Sequence, residues 1–379
     1  MKVAIVHDWL TGMRGGEYCL EVFCELFPDA DLYTLLYSPA HISTTIRSMK
    51  IYPSWINRLP GVKKYYRYCL PLFPSIVEKF ALSNYDLVLS SSHCVAKGVL
   101  PNGALHISYV YSPMRYVWDM YDTYFGTNSS WAARIGMTLC RGYLQRWDVQ
   151  SAQRVHSFVA ISNHIAAKIK AIYARDAAVI YPPVDTEKFY VRESQEPYYL
   201  IVSALVPYKK IELAIEAFNE LRLPLKIAGN GPLKRSLEKR ARPNVEFLGW
   251  VEDHLLADLY ASCQALVFPG EEDFGITPLE AHASGRPVIA YGKGGVLETV
   301  IPLNNSHQEG PLEQGPTGVF FSEPTSSSLM AAVDYFQKEH YAFNPTAIRR
   351  HAASFSRERF KFQIREYIEA RLKEWKEGK

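Results

Sequence analysis

Short apolar runs rich in β-branched residues alternate with longer amphipathic segments along nearly the whole chain, and this alternation limits the fold more than any single motif. Val3–Val6 is the first such run; a glycine loop over 12–16 follows, then a helical pattern through Leu20, Val22 and Phe23. The scheme recurs at 86–90, 107–111 and 158–161, and again at 199–202, 225–228, 245–248, 265–268 and 287–290. A strand that is apolar along its length is buried on both faces, so these runs predict parallel sheets covered by helices on both sides. The alternation stops at Tyr181, where Pro182 and Pro183 cannot continue a ladder or a helix and a polar stretch runs on to Glu196. The expected organisation is α/β, with two Rossmann-like doubly wound domains at 1–180 and 197–355 joined by a linker at 181–196. A final amphipathic helix at 356–379, with Phe360, Ile364, Ile368 and Leu372 four residues apart, is expected to cross back to the first domain. Such sheets bind ligands at the carboxyl ends of their strands, so a central cleft between the two domains is the expected site.

Composition removes several classes. With 48% hydrophobic and 21% charged residues the chain can build cores and is not disordered. A net charge of +3 argues against nucleic acid as the partner. The charge is uneven: 18 basic against 12 acidic residues up to position 180, and 24 against 27 beyond it, which points to different partners for the two halves. The six cysteines are scattered without a CxxC pair, as expected of reduced thiols in a cytoplasmic protein. No run approaches the roughly 18–20 apolar residues of a membrane span.

The stretch from Phe268 to Gly285 carries the densest chemistry. Thr277 reads as an N-cap, Pro278 as the first helical residue and Glu280 as the third. The amides of Phe274, Gly275, Ile276 and Thr277 would then form an anion site at a helix N-terminus, with Gly275 letting a diphosphate approach the backbone. Glu280 reads either as a capping partner of Thr277 or as a ligand residue, and the two are compatible. Glu272 reads either as a solvated loop acid or as a ligand residue. Here the sequence resembles the retaining glycosyltransferase family 4 (glycosyl transferases group 1), which has the GT-B fold and two glutamates separated by seven residues at such a strand–loop–helix junction. Glu272 and Glu280 stand at that spacing within E-D-F-G-I-T-P-L-E, and A-H-A-S-G-R-P-V-I-A continues the likeness.

The resemblance implies that Glu272 faces the hydroxyls of a donor sugar and Glu280 those of a ribose, with Asp273 between them in the donor loop. Gly15 and Gly16 resemble the family's N-terminal glycine loop near donor and acceptor. Lys209 matches the family's phosphate-binding lysine, whereas its arginine position holds Ala204, which leaves Lys210 or another residue to compensate. Residues 228–232 (A-G-N-G-P) resemble a glycine turn of the donor domain, read first as a plain βα turn; the third glycine of a dinucleotide fingerprint is absent. His93, after the strand ending near Leu89, is the candidate for the family's catalytic histidine, with a structural histidine as the alternative. Arg115 and Trp118 resemble a mannosyltransferase-like subgroup of polysaccharide and O-antigen synthesis, and are acceptor candidates with His7 and Asp8. A structural Arg115–Asp119 pair is the alternative.

The activity so implied is hexose transfer, mannose by the subgroup, from a GDP- or UDP-linked sugar to a glycan or polyprenyl-diphosphate-linked acceptor, with no metal or cofactor. A sugar-nucleotide epimerase or hydrolase and a non-catalytic sugar-nucleotide-binding protein are the rivals. The segment 50–80 interleaves Lys50, Arg58, Lys63, Lys64, Arg67 and Lys79 with Tyr52, Trp55, Tyr65, Tyr66, Tyr68 and Phe73 against one acid, Glu78. It reads either as a peripheral contact with the inner face of the membrane or as helices packed on the sheet with solvated basic faces.

Overall fold

A computed structural model of the chain describes residues 1–119, 121, 131–303 and 315–378. The chain divides into two compact units, residues 1–183 with 358–379, and residues 184–357. The first holds seven strands: β1 (Val3–His7), β2 (Asp31–Thr34), β3 (Lys50–Pro53), β4 (Leu87–Ser92), β5 (Leu105–Val110), β6 (Ser157–Ala160) and β7 (Ala177–Val179). They form one parallel sheet in the order β3-β2-β1-β4-β5-β6-β7. The second holds β8 (Tyr199–Val202), β9 (Leu225–Ala228), β10 (Val245–Gly249), β11 (Leu266–Phe268), β12 (Val288–Tyr291) and β13 (Gly318–Phe321). Their order is β10-β9-β8-β11-β12-β13, again all parallel.

Every residue of β1, β4 and β5 is buried, including Ser90, Ser91, Ser92 and His106, whose side chains are hydrogen-bonded inside the unit. β2 and β3 escaped the pattern reading for the opposite reason. Both are four residues long, and Lys50-Ile-Tyr-Pro53 lies at the sheet edge, where partly exposed residues and a terminal proline are tolerated. The 50–80 segment is therefore not helical throughout.

Both sheets reverse direction of winding at one place. β1 lies between β2 and β4, and β8 lies between β9 and β11. Loops leaving the two central strands at such a switch point diverge and leave a crevice at their carboxyl ends. That rule places the loops after β1 and β4, and those after β8 and β11, where ligands are expected.

The division between the two units falls within the expected linker at 181–196. It lies between Pro183 and Val184, and the rest of the stretch is built into the second unit. Phe189 is buried edge-on against Tyr260 (ring centroids 5.5 Å), and the Glu196 amide donates to the Ser262 carbonyl at 2.8 Å. The polar composition that suggested a linker hid one aromatic anchor. The last helix, Arg357–Glu377, buries Phe360, Ile364, Ile368 and Leu372, and Phe360 packs between Phe23 and Tyr109 of the first unit (5.8 and 5.5 Å). Each such side chain contributes about 1.5–3 kcal/mol.

Candidate functional site

In the second unit, β11 ends at Phe268 and the chain turns through a tight loop into the helix Ile276–Ala283. The helix starts earlier than the sequence reading placed it. Gly275, in the left-handed region at φ 91°, occupies the N-cap, so Thr277 is not the cap and Pro278 is the third helical residue rather than the first. A proline is tolerated there because the first-turn amides have no intrahelical acceptor. The shift takes Glu280 a turn into the helix, and its carboxylate accepts from the Tyr260 hydroxyl at 2.7 Å instead of capping. Burial raises the pKa of Glu280, the bond from Tyr260 working against it.

Three close backbone approaches shape the loop. A Cβ on Gly270 would lie 2.8 Å from the Tyr208 carbonyl oxygen and 2.9 Å from the Lys209 Cα; on Gly294 it would lie 2.5 Å from the Glu272 oxygen. On Gly295 it would lie 2.4 Å from the Asp273 oxygen. Glu272 and Gly294 form a parallel bridge, and the Gly295 amide donates to the Glu272 carbonyl at 2.8 Å. The loop of Glu272 is thus clamped between the turn after β8 and the loop after β12. Gly270, Gly294 and Gly295 were not singled out from sequence, although a Gly-Lys-Gly-Gly run at 292–295 directly after a strand was a usable signal.

The clamp brings two predicted residues together. Lys209 ends the short 3₁₀ turn Pro207–Lys209, and its ammonium pairs with the Glu272 carboxylate. Asp273 lies partly exposed in the same loop, and Phe274 is buried beside it with its ring 6.1 Å from Phe355. Ala204 is exposed just past β8. Gly229 and Gly231 serve packing: a Cβ on either would fall within 2.3 Å of the Ser203 or Leu205 carbonyl oxygen. The 228–232 segment is a βα turn fitted against the loop after β8.

In the first unit, the loops after β1 and β4 meet around Asp8. Its two carboxylate oxygens accept from the amides of His93, Cys94, Val95 and Ala96 at 2.7–2.9 Å, and Oδ2 lies 3.1 Å from His93 Nδ1. Asp8 is fully buried, so this carboxylate organises the His93 loop and has no free face for an acceptor. Burial lowers the His93 pKa to about 4, with Asp8 opposing the shift and Arg115 adding to it. A neutral imidazole that donates through Nδ1 to Asp8 leaves Nε2 as an acceptor. Trp9 meets His93 edge-on at 4.4 Å.

His7 is buried, with Nδ1 2.9 Å from the Ser91 hydroxyl and Nε2 3.9 Å from Glu17. Ser91 bonds the Tyr111 hydroxyl at 2.8 Å, which donates to the Gly16 carbonyl at 2.9 Å. Gly15 and Gly16 open the helix Gly15–Leu26, and a Cβ on Gly16 would touch the Tyr111 ring at 3.4 Å. Glu17 accepts from the Arg14 amide at 3.1 Å. Burial would raise its pKa, but His7 and His93 bring the balance below the usual value.

Trp118 belongs to another network. Its indole N–H donates to Asp148 at 2.8 Å, and Asp148 also accepts from the Tyr173 hydroxyl at 2.8 Å and pairs with the buried Lys97 at 3.0 Å. Asp119 pairs with Lys168 at 2.6 Å. Asp148, on the helix Trp131–Ala152, gave no sequence signal because one acid on a long amphipathic helix looks solvated.

Residues 185–349 match the family described as Glycosyl transferases group 1. Among curated proteins, O-antigen chain mannosyltransferase C of Escherichia coli is 36% identical over 125 residues, 29% of this chain and 34% of that one. Alpha-1,3/1,6-mannosyltransferase ALG2 of Kluyveromyces lactis is 28% identical over 251 residues, 52% of this chain and 49% of that one. The chain thus spans half or less of the length of these relatives. The solved Anabaena protein HepE in complex with UDP-glucose superposes with a TM-score of 0.67 at 16% identity, covering 98% of this chain and all of that one, a likeness of fold. Two parallel-sheet units and the likeness to solved structures over the whole chain give the GT-B fold, and residues 185–349 match the glycosyl transferases group 1 family.

Proposed function

We propose that the protein is a retaining glycosyltransferase that moves a hexose from a nucleoside-diphosphate sugar to an acceptor hydroxyl. The observation that carries this reading is the clamp: Lys209 and Glu272 on one side of the helix start at Ile276, and Glu280 with Tyr260 one turn further in. An anion at the helix N-terminus would be met by the amides of Gly275, Ile276 and Thr277 and by Lys209. Glu272, drawn off Lys209 by the phosphate, turns to the sugar hydroxyls, and Glu280 receives the ribose.

In the reaction, the bond from the anomeric carbon to the diphosphate oxygen breaks as the bond to the acceptor oxygen forms on the same face. The acceptor proton passes to the departing phosphate oxygen, whose charge Lys209 and the amides stabilise without a metal. His93, neutral and held by Asp8, offers Nε2 to a hydroxyl of the reacting sugar, and Arg115 lies near enough to His93 to bind an anionic acceptor. Gly16 leaves no side chain between the first helix and the rings of Tyr111 and His7.

The mannosyltransferase relatives favour mannose as the sugar and a glycan or lipid-linked acceptor in cell-surface polysaccharide synthesis. No described helix is long and apolar enough to cross a membrane. Trp55, Leu59, Tyr65, Tyr68 and Leu72 are exposed among the basic residues of the 50–80 segment, which supports a peripheral contact with an anionic membrane.

The test is a thermal-shift panel of nucleoside diphosphates and their sugars, followed by donor turnover with and without acceptor. Wild type is expected to be stabilised by one nucleotide class and to turn over only with acceptor. The Glu272→Ala and Glu280→Gln variants are expected to lose about 10²-fold in transfer. Wild-type rates in both variants would sink the assignment. Donor consumption without acceptor would indicate the epimerase or hydrolase reading, and binding without turnover a sugar-nucleotide-binding protein.

A further inference from the structure

The helix Trp131–Ala152 makes two sets of contacts that the donor reading does not use. One set holds the turn over 114–118, which follows β5 and is closed by the Val117 amide on the Met114 carbonyl at 3.1 Å. Arg141 Nε and Gln145 Nε2 donate to the Val117 carbonyl at 3.2 and 3.0 Å, and the Trp118 indole N–H donates to Asp148 Oδ2 at 2.8 Å. Residues 141, 145 and 148 follow one another at spacings of four and three, so they share one side of the helix. The other set grips the loop of His93 at its far end. The Lys97 ammonium donates to the Asp148 carbonyl at 2.7 Å and to the Ser151 hydroxyl at 2.8 Å, and lies 3.0 Å from Asp148 Oδ1. Gly98 permits this approach, since a Cβ there would lie 2.3 Å from the Trp147 ring.

Asp148 belongs to both sets and so ties the loop of His93 to the turn of Arg115. The Tyr173 hydroxyl adds a further bond to its Oδ2 at 2.8 Å. Stability alone does not account for this arrangement. Lys97 and Asp148 are both buried, and taking two charges out of water costs about as much as their attraction returns. Neutral residues of the same size often serve a core equally well. What a buried pair adds is a fixed geometry between the elements it joins. Here those elements carry His93 and Arg115, which lie close enough for the charge of one to act on the other.

We propose that Asp148 and Lys97 are positioning residues that fix the separation of His93 and Arg115. The inference rests on the glycosyltransferase reading, in which these two residues meet the substrates.

The test uses Lys97→Met/Asp148→Asn, which removes both charges at nearly constant volume and leaves the net charge unchanged. Each single variant strands a buried charge and loses stability, whereas the double variant is expected to melt close to wild type. The readout is the titration of His93 by NMR, its imidazole signal identified by its absence in His93→Gln. Asp8, His7, Arg115 and Glu17 are the charged neighbours that act on His93, and neither Lys97 nor Asp148 is among them. A change in its pKa therefore reports movement rather than lost charge. The expected result is a rise from about 4 as Arg115 recedes, equivalent to at least about a threefold gain in proton affinity. Trp118→Phe, which loses only the indole N–H, should give a smaller rise in the same direction. An unchanged His93 pKa in either folded variant would overturn the proposal. So would a double variant that melts as low as the single ones, because the pair would then be a stability element. Melting shifts with GDP and UDP should match wild type, since the loop of Glu272 belongs to the second unit. If neither nucleotide stabilises the wild type, the glycosyltransferase reading fails, while the His93 titration still decides whether the pair positions the histidine.

Discussion

The carboxyl ends of the two sheets handle charge in opposite ways. In the first unit, Asp8 spends its oxygens on four backbone amides and His93, and Lys97 and Asp148 are buried against each other. In the second, Glu272 and Glu280 each have one close side-chain partner, Lys209 and Tyr260, and both acids stay partly open to solvent. A saturated carboxylate holds a loop in place, whereas a carboxylate with spare lone pairs on a rigid loop is available to a ligand. Acidic side chains thus hold a loop in the first unit and keep free lone pairs in the second.

The sharpest way to break this comparison is Asp8→Ala. It strands four amides in the interior, and unsatisfied buried groups cost about 1–3 kcal/mol each, so a loss of at least about 3 kcal/mol is expected. Scanning calorimetry should show the melting temperature falling by about 6–12 °C, since 1 kcal/mol moves a unit of this size by about 2–4 °C. A melting temperature within a degree of wild type would mean that Asp8 is not the organiser of its loop.

Gly295→Ala addresses the clamp of the second unit. Its methyl group would lie 2.4 Å from the Asp273 oxygen, so the loop of Glu272 must shift. Overpacking of this kind costs about 1–3 kcal/mol, and nucleotide affinity should fall by at least about tenfold. Retained affinity, measured by titration calorimetry, would show that the loop position is not set by this contact.

Glu280→Gln separates stability from function. Burial raises the pKa of Glu280 in the folded state, so its charged form is a cost that is present above that pKa and vanishes as pH falls. Glutamine should therefore raise the melting temperature at pH 7 while weakening nucleotide binding. The Tyr260→Phe variant should weaken binding less, by a factor corresponding to about 0.5–1.5 kcal/mol. A fall in melting temperature for Glu280→Gln would mean that the carboxylate is structural.

The smallest effect concerns pH. His93, with a folded pKa of about 4, and His106, at about 3, are both kept neutral by burial. As pH falls from the unfolded value of about 6.5, the unfolded chain takes up protons that the folded chain refuses, so stability declines through this window. His93→Gln should make the decline between pH 6.5 and 4 shallower in urea titrations. An unchanged pH slope would show that His93 titrates normally.

Much of this was legible in order along the chain. Runs such as 86–90 and 107–111 announced buried parallel strands, found at 87–92 and 105–110. The four-residue spacing from Phe360 to Leu372 announced the last helix. Legibility failed where a residue's neighbours come from distant segments. Thr277 looked like a cap until the left-handed Gly275 started the helix earlier, Phe189 was hidden in a polar stretch, and Asp148, which takes the Trp118 indole N–H, belonged to no motif.

Sequence by itself determined the fold class, because strand burial is written in local periodicity. Only the tertiary structure decided which charged residues are free to act. That depends on how many hydrogen-bonding partners converge on each carboxylate, and for Asp8 those partners come from residues 93–96, more than eighty positions away.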